Sequence, residues 1–148
     1  MLILVLQGMP MSNTFTPYMP AKDEEYMSDK QLAHFRTLLL QWKTELLAEA
    51  ERTKDYINEE TNALADINDR ATQEEEFALA LRTRDRERKL VRKIDKSIAE
   101  IETGDYGYCE TCGVEIGLRR LEARPTATQC IDCKTMSEIK EKQIQGHY

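Results

Sequence analysis

Two long runs of regularly spaced apolar residues dominate the pattern of this chain, and each predicts a helix. The first run begins at Ser28, where Gln31 follows three residues later in a capping-box pattern. Its apolar positions recur at spacings of four, three and four, as in a coiled-coil seam; they are Phe35, Leu39, Trp42 and Leu46. Beyond Leu46 the seam weakens, because Glu49 and Thr53 occupy the next positions.

The second run predicts a helix from about Ala71 to Thr103, with Gly104 placed to stop it. Its apolar stripe comprises Phe77 and Leu81 near the start and Val91, Ile94, Ile98 and Ile101 near the end. Between the runs lies Asp66–Arg70, which is rich in capping and turn-forming residues. So short a connection must fold the helices back on each other, so we expect an antiparallel hairpin with arms about 50 Å long at ~1.5 Å per residue and its tip near residues 65–71.

The four cysteines of the chain form two C-x-x-C pairs, and their spacing is that of a four-thiolate zinc site; they are Cys109, Cys112, Cys130 and Cys133. Gly113 after the first pair suits the tight knuckle, which often needs a positive φ. Two disulfides are disfavoured because the sequence shows no secretory signal, and a thioredoxin-like motif lacks its βαβ context. With four protein ligands the coordination sphere is closed, so we expect one structural Zn²⁺ that holds the fold and performs no hydrolysis.

The remaining segments complete the predicted architecture. Residues 1–27 are expected to form a flexible N-terminal arm. Its first apolar residues lack the features of a signal peptide, so we expect them to reflect a mis-assigned start or to be disordered. Lys134–Gln145 reads as a short amphipathic helix, ended by Gly146, that packs on the base of the hairpin. The predicted fold is therefore all-α dominated: a long antiparallel coiled-coil hairpin over residues 28–104, then a small four-cysteine zinc-finger module and C-terminal helix over residues 105–148.

Composition and charge narrow the classes of function. Aromatic residues make up 7% of the 148 residues and charged residues 32%, which favours long exposed helices over a large compact core. The formal net charge of −6 argues against a protein whose main task is gripping duplex DNA, because phosphate neutralisation supplies most non-specific affinity. The apolar N-terminal stretch is too short to span a bilayer. A protein partner with a basic surface is the more natural inference.

Two clusters of charged residues are candidate binding sites, and each has a functional and a structural interpretation. The middle of the second helix carries a local charge of +5, from Arg82, Arg84, Arg86, Arg88, Lys89, Arg92 and Lys93 against Asp85 and Glu87. Within it Arg86, Leu90 and Lys93 share one helical face, so this cluster is either an anion or partner site or a solvated face balanced by nearby glutamates. At the tip, Asp66 and Asp69 either contact a basic residue or metal of a partner or cap helices.

Several segments together resemble the TraR/DksA zinc-finger family of RNA-polymerase-binding regulators. They are Asp66–Ala71, Gln73–Phe77, Arg84–Leu90, Cys109–Gly117, Arg124–Thr126 and Cys130–Lys134. The resemblance implies a monomeric, cytoplasmic bacterial transcription factor, not an enzyme, that inserts its coiled coil into the secondary channel of RNA polymerase. It would act there with guanosine tetraphosphate (ppGpp) in the stringent response, without sequence-specific DNA binding or membrane association.

Carried over position by position, the resemblance implies two further sets of site residues. Asp66, Asp69 and Ala71 would act at the coiled-coil tip, near the polymerase active centre. The nucleotide would be shared with the polymerase at an interface formed by Arg86, Leu90, Lys93, Arg124, Asp132 and Lys134. One departure concerns the turn: family tips carry prolines around the acidic pair, whereas residues 64–68 contain none.

Two alternatives from other functional classes remain open. A zinc ribbon could bind nucleic acid directly through basic residues such as Arg119, Arg120 and Arg124, although the net charge opposes this. A transcript-cleavage-type polymerase accessory factor would instead use the tip carboxylates to hold magnesium. A gel-shift at physiological salt separates the first alternative from a protein-binding regulator.

Overall fold

The computed structural model describes residues 16–62 and 67–146, with side chains described outside residues 60–71. Its helices are α1 (Asp29–Asn62), α2 (Ile67–Thr103), α3 (Leu118–Ala123) and α4 (Ile131–Gln145). Over the described ranges there is no strand, only an isolated antiparallel bridge between Tyr108 and Glu115. The predicted helical hairpin with a small four-cysteine module is confirmed. None of the described helices is long and apolar enough to cross a bilayer.

The start of α1 follows the capping pattern with one variation. The Ser28 hydroxyl accepts the Gln31 N–H at 3.3 Å, as an N-cap does. The Gln31 side chain, which is buried, reaches back to the Met27 N–H at 2.8 Å, one residue earlier than the usual capping box. Polar groups therefore close the buried end of α1 where it meets the rest of the molecule.

Contacts between α1 and α2 show that the two long helices run antiparallel. Arg36 pairs with Glu102 at 3.2 Å and Lys43 with Asp95 at 2.6 Å. A higher residue number in α1 therefore pairs with a lower one in α2. Farther out, the Tyr56 hydroxyl donates to Glu76 at 3.4 Å. These exposed pairs add little stability, but they show that the two helices stay paired along the described hairpin.

The apolar core lies at the base of the hairpin, where both helices meet the cysteine module. On the hairpin side it contains Phe35, Leu38, Leu39, Leu46 and Ile94, and on the module side Tyr106, Cys109, Ile116, Leu121, Ala127 and Cys130. Trp42, Val91, Ile98 and Ile101 pack half-buried against it. The predicted seam is therefore correct over the base, and the module completes a core that the hairpin shares.

The distal half of the hairpin differs from the predicted stripe. Phe77 and Leu81, predicted to face α1, are 41% and 42% exposed. Ala78 and Ala80, in the same stretch, are less exposed. Glu87 is only 4% exposed, and its Oε2 has no hydrogen-bond partner among the described residues. Burial raises the pKa of the Glu87 carboxyl, and the negative charge of Glu49 adds to that effect.

The N-terminal segment also departs from the prediction over its described part. Instead of forming a free arm, residues 16–28 lie against the cysteine module. The Tyr26 hydroxyl donates to the Gly107 carbonyl at 2.7 Å and accepts the Gly117 N–H at 3.0 Å. The Tyr18 N–H donates to Glu122 at 2.9 Å, and the His34 side chain lies 2.8 Å from the same carboxylate oxygen. The Gly117 N–H of the module therefore has its partner in the N-terminal segment, whereas the Gly107 carbonyl also accepts the Ile116 N–H at 2.9 Å.

Two predicted boundaries need correction. Helix α2 begins at Ile67, four residues before the predicted start, so Asp69 and Ala71 lie in its first turns. Asp66 and the connection at residues 63–66 are outside the described residues. Helix α4 begins at Ile131, inside the second C-x-x-C pair, and buries none of its residues. It makes no close backbone approach to α1 or α2, so it does not pack on the base as predicted.

Gly107 provides a test of the packing between the N-terminal segment and the module. Its φ is +89°, and a methyl group there would lie 2.9 Å from the Met27 Cγ and Sδ atoms. We expect Gly107→Ala to lower the free energy of unfolding by about 2–4 kcal/mol, from backbone strain plus the clash. Gly104→Ala is the matched control, because it has φ +86° with open space around it and should cost only about 1–2 kcal/mol. Equal losses in urea denaturation would show that the segment does not pack there.

Candidate metal centre and basic groove

The four cysteine sulfurs form a single cluster that fits a tetrahedral metal site. One ligand atom from each cysteine lies within 4.8 Å of the others; the residues are Cys109, Cys112, Cys130 and Cys133. The sulfurs of Cys112 and Cys130 are 3.7 Å apart. Zinc–sulfur bonds of about 2.3 Å in tetrahedral geometry require sulfur separations near 3.8 Å. The donor set therefore fits Zn²⁺ with shifts of no more than about 1 Å in any sulfur separation.

Local backbone geometry prepares the sulfurs as thiolate ligands. Cys130 is the N-cap of α4, and its sulfur accepts the Cys133 N–H at 3.5 Å. Gly113 has φ +75°, as predicted for the first knuckle, and its N–H donates to the Cys109 carbonyl at 2.9 Å. A helix N-terminus and directed N–H groups favour a negative sulfur, so the fold stabilises the ionised form that binds metal.

The pKa values of the thiols show opposing effects within the cluster. Burial raises the pKa of Cys109, but the backbone N–H groups around its sulfur outweigh burial and lower this pKa to about 6. Hydrogen bonds with the sulfurs of Cys130 and Cys112 raise the pKa of Cys133. Several adjacent sulfurs ionise together only when a cation offsets their repulsion, which is what a bound Zn²⁺ supplies.

A basic groove of about 220 Å³ lies between α2 and the cysteine module. Its lining consists of Lys93, Lys96, Arg120, Arg124, Thr126, Ala127, Thr128, Gln129 and Lys134. Five of these residues are cationic, and the described lining contains no carboxylate. We call this feature the basic groove; its charge and hydroxyl groups suit an anion with several phosphate oxygens.

The cations of the basic groove differ in how they are already engaged. Lys96 lies near Glu110 and Glu100, at 3.3 Å and 3.7 Å. Lys134 lies 3.6 Å from Glu138 of its own helix. Lys93 and Arg124 have no ion-pair partner within the described residues. The groove therefore presents at least two cations that a ligand can meet without displacing a carboxylate.

The structure brings together part of the predicted interface. Lys93 of α2, Arg124 after α3 and Lys134 of α4 line the same groove. Arg86 is exposed and lies about 10 Å along α2 from Lys93, at ~1.5 Å per residue, so it does not line the groove. Leu90 and Asp132 also lie outside the lining.

Sequence reasoning missed other residues of the groove. Lys96 is one helical turn beyond Lys93, so helical spacing could have suggested it. Arg120 is predicted from the sequence only as a basic residue that could bind nucleic acid directly, and not as part of this groove. The Arg120 Nε donates to the Gln129 carbonyl at 3.0 Å, which fixes the loop that forms one wall. No sequence signal pointed to the loop residues Thr128 and Gln129, because their position depends on how the module folds.

Metal removal tests the centre. We expect one zinc per chain, and we expect chelation to unfold the module while far-UV circular dichroism keeps most of its helical signal, since α1 and α2 comprise 34 and 37 residues. Cys112→Ser should lower both zinc content and the melting temperature. A preparation without zinc, together with unchanged melting of Cys112→Ser, would contradict a structural metal.

Two family models match adjacent parts of the chain. The model described as "DnaK suppressor protein DksA, N-terminal domain" matches residues 31–101, which cover most of the hairpin. The model described as "Prokaryotic dksA/traR C4-type zinc finger" matches residues 104–138, which contain all four cysteines. The second match supports Zn²⁺ as the metal of the centre.

Similar proteins cover nearly the same span. The chain is 57% identical over 130 residues to the RNA polymerase-binding transcription factor DksA of Escherichia coli strain K12, covering 88% of this chain and 86% of that protein. It is 55% identical to the protein of the same name from Haemophilus influenzae, covering 88% and 90%. The solved structure of transcription factor DksA2 from Pseudomonas aeruginosa superposes with a TM-score of 0.73 at 41% identity, covering 79% of this chain and 90% of that one. From the long hairpin, the four-cysteine zinc finger and these similarities, we conclude that the chain belongs to the DksA family of transcription factors.

Proposed function

We propose that this protein is a non-catalytic regulator that binds bacterial RNA polymerase in the cytoplasm. It inserts the α1–α2 hairpin into the secondary channel of the enzyme. In this arrangement the tip acts near the active centre, and the basic groove holds ppGpp at the interface with the polymerase. The family membership and the RNA polymerase-binding relatives support the partner.

One observation carries the nucleotide part of the proposal: cations from three separate segments meet in one groove. Lys93, Arg124 and Lys134 are distant in sequence, yet all three line the same 220 Å³ space. Arginine and lysine form charge-assisted hydrogen bonds with phosphate oxygens, and two diphosphate groups offer many such acceptors. Because the groove is open on one side, a polymerase surface can complete the site. The free protein should therefore bind the nucleotide weakly.

The shape of the molecule supports the placement of the hairpin. The shared core and the zinc centre lie at one end, whereas α1 and α2 extend from it as a narrow pair. A slender hairpin can enter a channel while the wider base docks outside. The basic groove and the metal centre belong to the base, so regulation at the tip and nucleotide binding at the base are spatially separate functions.

The cations of the groove should matter for the nucleotide response rather than for folding. We expect Lys93→Ala and Lys134→Ala to leave helicity and polymerase affinity within about twofold of the unmodified protein, because exposed cations add little stability. Each should raise the ppGpp concentration for half-maximal effect on transcription by about tenfold, since one charge-assisted bond is lost. Lys89→Ala removes the same charge from α2 outside the groove and serves as the control.

An unchanged nucleotide response in both groove variants would contradict this placement of the site. A decrease in polymerase affinity that fully accounts for the lost response would make Lys93 and Lys134 docking residues. A similar loss in Lys89→Ala would indicate a dependence on net charge alone.

The acidic residues of the tip should act by charge rather than as helix caps. Asp66 precedes the first residue of α2, and Asp69 lies in its first turn, so either position could cap or favour the helix N-terminus. Asparagine preserves a cap, so Asp66→Asn and Asp69→Asn should keep stability and polymerase binding. We expect both variants to lose most of their effect on promoter output, more severely at Asp69.

Polymerase affinity and promoter output should be measured side by side on the same preparations. Asp85→Asn, an exposed position farther along α2, is the control for removing a carboxylate. Normal promoter output with both tip variants would show that Asp66 and Asp69 act only as helix caps. A parallel loss of affinity would instead make them contributors to docking.

A further inference from the structure

One carboxylate lies beside the basic groove and engages one of its cations. Glu110 stands between the first two zinc ligands, with its Oε2 3.3 Å from the Lys96 Nζ. Its other oxygen accepts a hydrogen bond from the Thr128 hydroxyl at 3.3 Å. Lys96 and Thr128 both line the groove, whereas Glu110 does not. The carboxylate therefore approaches the groove from behind its lining.

Glu110 is held in this position by the fold of the module. Its backbone N–H donates to the Thr128 carbonyl at 2.9 Å, which joins the two zinc knuckles. Side-chain and backbone bonds to the same residue leave the carboxylate little freedom to move away. By contrast, Glu138 meets Lys134 at 3.6 Å across one turn of α4, where no other bond within the described residues restrains it. Glu110 is thus the nearer of the two carboxylates beside Lys96, since Glu100 lies 3.7 Å away on the same helix as the lysine.

The pair between Lys96 and Glu110 is exposed enough for a ligand to replace it. The side chains of Lys96 and Glu110 are 56% and 51% exposed, and an ion pair in water contributes little free energy. A phosphate group carries more charge than a carboxylate and offers three acceptor oxygens. When a phosphate enters the groove, Lys96 can turn from Glu110 to the ligand, while the negative charge of Glu110 continues to oppose that ligand.

We propose that Glu110 is a built-in competitor for phosphate in the basic groove. In the free protein Glu110 pairs with Lys96. A phosphate-bearing ligand must break this ion pair before it can bind Lys96, and the cost of breaking it lowers the affinity of the groove for the ligand. This inference rests on the proposed function and deepens it, because it gives a groove with five cations a weaker affinity for common phosphates than its charge alone would provide. Only a ligand with additional contacts, such as those from a bound polymerase, overcomes the competition.

The test replaces Glu110 by glutamine in the full-length, zinc-loaded protein. Glu110→Gln removes the charge but keeps an oxygen that can accept the Thr128 hydroxyl. Glu115→Gln is the matched control: it makes the same isosteric change in the same module, but Glu115 lines a cavity beside Tyr26 that shares only Arg120 and Arg124 with the groove and does not include Lys96. Neither substitution removes a zinc ligand, and zinc content and melting are recorded for each variant.

Two measurements are made on these proteins. Inorganic pyrophosphate is titrated into each free protein, with the backbone amide signals of Thr128 and Gln129 followed by NMR. The ppGpp concentration for half-maximal effect is measured with RNA polymerase. We expect Glu110→Gln to bind pyrophosphate about two- to fivefold more tightly, to shift the ppGpp midpoint down by a similar factor, and to lose this advantage at high salt. Glu115→Gln should match the unmodified protein in both assays.

Each other outcome has a definite meaning. Equal tightening in the two variants would overturn the proposal in favour of a general charge effect, and no tightening in Glu110→Gln would overturn it directly. Weaker binding by a correctly folded Glu110→Gln would make Glu110 a residue that orders the groove. If the gain persists when Lys96→Ala is added, the exchange of partners at Lys96 is wrong. If the unmodified protein shows no ppGpp response, the proposed function fails, and the pyrophosphate titration alone decides the role of Glu110.

Discussion

The side chain of Tyr106 joins the two parts of this molecule. The centre of its ring lies 5.7 Å from the centre of the Phe35 ring in α1. Its hydroxyl donates to the Pro125 carbonyl at 2.7 Å. Burial raises the pKa of this hydroxyl, so it remains a neutral donor. Pro125 directly follows Arg124, so the Tyr106 bond sets the position of the loop that faces α2. The groove and the shared core both depend on this contact, because neither the hairpin nor the module forms them alone.

Much of the base could be predicted from the sequence, because large apolar residues there repeat with the helical period. Phe35, Leu39 and Leu46 are buried as expected, and cysteine spacing identified the four metal ligands. In the distal half the same reasoning was wrong about Phe77 and Leu81. A pair of helices without a third packing element leaves large apolar side chains partly in water, and spacing along the sequence does not show where the third element ends.

The groove could be predicted only in part. The resemblance to a known family implied Lys93, Arg124 and Lys134 together, and the structure places these three in one groove. Periodicity could not have joined them, because their proximity depends on the fold of the zinc finger and on its docking against α2. The N-terminal segment was missed for the same reason: Tyr26 and Tyr18 bind backbone groups of a module that is distant in sequence.

The uneven distribution of buried residues along the hairpin has a mechanical consequence. Among the described side chains, α1 buries none beyond Leu46, and on α2 the outermost buried side chain is the carboxylate of Glu87. Past that level the helices are held by propensity and by exposed polar pairs, which stabilise far less than a packed core. The hairpin is therefore held most firmly at its root. Its outer described turns can bend at a smaller cost in free energy than the base, and bending there leaves intact the core that anchors the zinc finger.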